Sequence, residues 1–69
     1  MKMKILCRNC NTDEVWQAHG RTNMKTSGLS YKDADTAVLE AAAIMRQQPE
    51  VEAVVVPAEE ADRRVLLGW

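Results

Sequence analysis

The chain has 69 residues, a formal net charge of −1, 28% charged side chains and only 4% aromatic ones: two Trp, one Tyr and no Phe. That length allows one modest core and one domain over residues 1–69, with little bulk to fill it. The charge excludes a mimic of duplex phosphate, which needs a far more acidic surface, and a nonspecific DNA binder, which needs a far more basic one. Six basic residues stand against two acidic ones through residue 32, and three against eight after it. A sheet that interleaves the two halves would blur this split.

Taken in order, Met1, Met3, Ile5 and Cys7 alternate with Lys2, Lys4 and Arg8. This is the period-2 pattern of a strand with one buried face, and Leu6 is its one apolar residue out of phase. The segment is too short and too interrupted by lysines for a signal peptide. No stretch approaches the ~18 apolar residues of a membrane span. A cytoplasmic protein with no membrane association is expected.

Cys10-Asn11-Thr12-Asp13 is rich in turn formers and predicts a hairpin into a second strand from residue 14 to His19, with Gly20 as its bulge or end. Residues 21–28 are polar, and either extend that strand or form a loop. Lys25-Thr26-Ser27-Gly28 lacks the flanking glycine and the residue order of a phosphate-binding loop.

Residues 30–48 carry the one long helical pattern. Ser30 with Asp33 resembles a capping box, and Asp35 adds a second acid near the positive end of the dipole. Tyr31, Ala34, Val38, Ala41, Ala42 and Met45 share one side of the wheel, which predicts that Val38 and Met45 are buried and that Val38→Asp unfolds the chain. Asp33, Thr36, Glu40 and Gln47 fall on the other side. Pro49 stops the helix. Residues 51–56 read as a β-branched strand ended by Pro57. Residues 63–69 alternate as Arg63, Val65, Leu67 and Trp69, and read as a last strand. The expected fold is α+β: a two-layer sandwich of about four antiparallel strands in the order ββαββ, with one helix on one face.

Cys7-Arg8-Asn9-Cys10 looks like the first knuckle of a zinc ribbon. Tetrahedral zinc needs four ligands, and a second C-x-x-C is missing. With His19 as the only histidine, Cys7, Cys10 and His19 still leave a ligand short. No metal and no cofactor are expected, and a zinc-stabilised or nucleic-acid-binding module using this knuckle is the alternative. A redox pair needs the C-x-x-C at a helix N-terminus, whereas this one ends a strand. With no catalytic constellation, an enzyme is not expected. Lys2, Lys4, Arg8, Arg63 and Arg64 with Trp16 would suit an RNA surface, but basic strand faces ordinarily serve solubility, and nucleic acid is not the expected partner.

From the helix onward, the pattern Y-K-D-A-D-T-A-V-L-E-A-A-A-I-M-R-Q-Q-P-E-V-E-A-V-V-V is similar to that of many small phage and prophage proteins. Together with a preceding hairpin, the layout resembles the small anti-CRISPR proteins. It covers about half of the chain, and no functional residue transfers from it position by position. The resemblance implies a non-catalytic protein that binds and inhibits a host protein in the host cytoplasm. From the residues themselves, the expected partner face carries Trp16, Arg8 and Arg21, since Trp and Arg anchor interfaces. The acidic side of the helix, with Asp33, Asp35 and Glu40, is the second choice. A homodimer through an edge strand, burying Leu66 and Trp69, would ease the shortage of core.

Overall fold

The computed structural model describes residues 2–19, 22–24 and 29–69, with 19 and 22–24 described by their backbone alone. Strand β1 (Met3–Asn9) is the centre of an antiparallel sheet between β2 (Val15–His19) and β4 (Val51–Pro57). The short β3 (Thr22–Met24) adds to the outer side of β2, giving the order β3-β2-β1-β4. Two helices, α1 (Ala34–Gln47) and α2 (Ala58–Leu67), complete the fold.

Strand alternation assigns each helix to a face. Cys7 lies opposite Trp16 on one side and Ala53 on the other, so these three share a face. There they join Ile5, Ala18 and Val51 in one core with Ala37 and Ala41 of α1. Leu6 lies opposite Gln17 and Val54, which places them on the reverse face. On that face Leu6, Val15 and Val56 pack with Ala61 of α2. The sheet is therefore covered on both sides, in three layers. The out-of-phase Leu6 and the double-phase run Val54-Val55-Val56 follow from this, because each face of the central strands has a helix to fill.

The α+β class holds, and the expected ββαββ order does not. Residues 63–69 belong to α2 and its cap, so the elements run β-β-β-α-β-α and a second helix covers the face that was expected to be open. Ala58 and Ala61 are good helix formers, Glu59 and Glu60 sit in the first turn at the positive end of the dipole, and Arg64 sits in the last. Gly68 adopts the left-handed conformation (φ 83°), and its N–H reaches back to the Arg64 and Val65 carbonyls. The Trp69 N–H also donates to the Arg64 carbonyl at 2.8 Å, closing a Schellman-type end.

Helix α1 is shorter than the sequence pattern, and its cap is Asp33 rather than Ser30. An Asp33 carboxylate oxygen accepts from the Asp35 N–H at 2.8 Å. The helix ends before Pro49, as expected. Its buried line runs through Ala37 and Ala41, with Ile44 packed beside it. Val38 is 53% exposed and Met45 39%, which overturns the expectation that both are buried. Alanines let the helix approach the sheet closely, so the narrow Ala line is the contact and the larger residues flank it.

Candidate functional site

The hairpin between β1 and β2 is held by Asn9, whose side-chain oxygen accepts from the N–H groups of Asn11 (2.8 Å) and Thr12 (3.1 Å). Asp13 takes the left-handed conformation (φ 61°), which Asp tolerates better than most residues. This turn carries Cys10 into solvent, while Cys7 is buried beneath α1. Burial pushes the Cys7 thiol up to about 11. Cys10 is also raised, first by donating its S–H to Glu52 Oε1 at 3.3 Å. Neither sulfur is poised as a thiolate, the form that attacks electrophiles. Among the described residues no group of three or more His, Cys, Asp or Glu is placed to hold a metal ion. The His19 side chain lies outside the described residues, as do Gly20, Arg21 and residues 25–28.

The expected partner face does not form as a free surface. Trp16 is 7% exposed and belongs to the core under α1, because its position on β2 pairs it with Cys7. Arg8 projects from the opposite face of the sheet. There its guanidinium lies 3.4 Å from Glu52 and stacks over the Trp69 ring at 5.1 Å from the centroid. Lys4 shares that face, and its ammonium approaches Asp62 at 4.0 Å. Arg64 donates through Nε (2.9 Å) and Nη2 (2.8 Å) to the main-chain oxygen of Trp69. The basic residues of β1 thus lie beside Glu52 of β4, Asp62 of α2 and Trp69, and Gln17 donates through Nε2 to Asp62 next to them. Trp69 packs on this second core within the single chain, from beyond the helix cap and not from a strand.

The acidic residues of α1 are exposed and do not converge. Asp33 is engaged as the cap, and Thr36 donates its hydroxyl to it at 3.3 Å. Asp35 and Glu40 are five positions apart, roughly 140° around the helix. They lie on opposite flanks of the Ala37–Ala41 line.

Among the described residues, both helices also expose large apolar side chains. On α2, Leu66 is 80% and Leu67 77% exposed. With the exposed Arg63, at i, i+3 and i+4, they make one outward patch. On α1, Leu39 is 71% exposed, and Val38 and Met45 are exposed as well. The alternation of residues 63–69 hid the α2 patch, and the signals for it were Gly68 after Leu67 and the acids after Pro57. No helix is long and apolar enough to cross a membrane among the described residues. No family model, characterised protein or solved structure matches the chain.

Proposed function

We propose that this chain is a non-catalytic protein-interaction module that acts by occupying a surface of its partner. The observation that carries this reading is the Arg63, Leu66 and Leu67 patch. Two leucines about four-fifths exposed at the end of a short helix contribute nothing to the core, and exposed apolar clusters of this kind mark contact surfaces. The side chains sit on a helix locked at its C-terminal end by Gly68 and by the Arg64 bonds to Trp69, so little ordering remains to be done on binding. In its narrower form, drawn from the likeness to small phage proteins, the partner is a host protein that binding inhibits.

The test compares the immobilised protein with a Leu66→Asp, Leu67→Asp variant of the same melting temperature. A protein from bacterial lysate that is held by the first and lost by the second fits the reading, and titration then shows whether its activity falls. Identical retention by both would remove the patch from consideration.

A further inference from the structure

The hydrogen-bonding groups of β4 can be assigned one by one. The Cys10 N–H donates to the Glu50 carbonyl at 2.8 Å, and the Ala58 N–H donates to the Lys2 carbonyl at 3.0 Å. With the β1–β4 register, this makes the even-numbered residues of both strands the bonded pairs. The Asn9 N–H donating to Glu14 at 2.9 Å agrees, since it turns the odd residues of β1 toward β2. The odd residues of β4 therefore direct their main-chain groups away from β1, to the outer edge of the sheet. At one end, Val51 has its N–H committed to the Gln48 carbonyl at 2.9 Å. At the other, Pro57 has no N–H. Between them, Ala53 and Val55 each present one donor and one acceptor, and among the described residues nothing pairs with that edge.

We propose that a second copy of the chain occupies this edge, antiparallel about a two-fold axis through Val54. In that register Ala53 faces the partner's Val55 and Val55 faces the partner's Ala53, so the two donors of each protomer meet the two acceptors of the other. The ladder stops where donors run out, at Val51 opposite the partner's Pro57. Glu52, the one charge on the strand, falls opposite the partner's Val56, and no like charges meet. The stretch from Ala53 to Val55 also lacks the lysines, prolines and bulges by which edge strands avoid pairing.

Helix α1 favours a whole copy over a lone peptide strand. It lies mainly above β4 and next above β1. Its Glu40 flank faces inward: Tyr31, bonded to Met3 on the β2 side of β1, has its phenol pKa raised by burial and then by the Glu40 charge. Val38 and Met45 lie on the opposite flank, over the outer edge. Joining two sheets at strand spacing would bring a helix above the β1–β4 gap to roughly 10 Å from its copy, the distance at which helices pack. The partly exposed Val38 and Met45 would then cover their counterparts, which a bare strand could not do. The pairing goes beyond the reading of α2 as a partner face, and leaves Leu66 and Leu67 displayed twice.

Sedimentation equilibrium and amide exchange of the full chain test the proposal without any heterologous partner. The expected mass is twice 7.7 kDa. The Ala53 and Val55 amides should exchange as slowly as those of Val54 and Val56. Val55→Pro removes only the outward donor and should give a folded monomer, whereas Val54→Pro breaks the bond to Leu6 and should unfold. Val38→Glu, at a site half exposed in the single chain, should also give a folded monomer, and decides the matter should Val55→Pro unfold. A parent protein that stays monomeric with fast Ala53 and Val55 amides overturns the proposal, as does Val55→Pro or Val38→Glu if folded and still dimeric.

Discussion

Gly68 shows how much one residue contributes to the end of this chain. Its left-handed backbone lets the Gly68 and Trp69 N–H groups return to the last turn of α2, and beyond its chain neighbours no described heavy atom lies within 4 Å of where a Cβ would stand. The cost of Gly68→Ala is therefore conformational alone, and about 1 kcal/mol is expected in urea melts, with Asn at that position costing less. The two cysteines should differ sharply. Cys10 is exposed and should alkylate in the folded protein, though more slowly than a free thiol, while Cys7 should react only as the protein unfolds. The Cys7 thiol is raised to about 11 in the folded state, from an ordinary value of 9.0. Its contribution to stability is thus fully present below pH 9, and is lost as pH rises through the folded value, by at most about 3 kcal/mol. Stability measured from pH 8 to 11 should fall less steeply in Cys7→Ala.

At the scale of elements, the same residue types have different weights according to the face they occupy. Trp16→Ala empties a large volume between β2, Cys7 and α1, and should cost about 3–5 kcal/mol. Val38→Asp should stay within about 0.5 kcal/mol in the single chain, because that side chain is 53% exposed. If the order of these two variants is reversed in thermal melts, the assignment of the α1 face is wrong. Ala61 is fully buried against Leu6, Val15 and Val56, so Ala61→Glu places an unpaired charge in the second core and should unfold the domain. Asp62→Ala should cost about 1 kcal/mol, mainly through the lost Gln17 bond. The Lys4 approach at 4.0 Å is part-exposed and contributes little.

For the whole molecule, three layers built from 69 residues leave two small cores divided by one sheet. Such a chain buries only roughly 60% of its unfolded surface, so association has much to add. If β4 pairs with a second copy, the melting temperature should rise with protein concentration, because dimerisation draws the equilibrium toward the folded state. In Val55→Pro that dependence should vanish. Purified protein should carry no stoichiometric zinc, and EDTA should leave its melting temperature unchanged. Zinc lost together with the fold would favour the Cys7/Cys10 knuckle instead.

Local chemistry was enough to place several elements. Alternation located β1, the Cys10–Asp13 turn chemistry located the first hairpin, and alanines before Pro49 located α1 to within a turn. These signals are short-range, and each acts within its own segment. The faces were decided only by the tertiary structure. Residues 63–69 satisfy strand alternation and a helical spacing equally well. They became helix because Ala61 and Val65 could cover Leu6, Val15 and Val56 on a sheet face that would otherwise stay wet. That same choice set Arg8 against Trp69 and Glu52, and Trp16 was removed from the surface by packing under α1 on the other face. The choice also left Leu66 and Leu67 as the outward side of α2. No segment read alone carries that information, since which side of a helix or strand is buried depends on what lies opposite it.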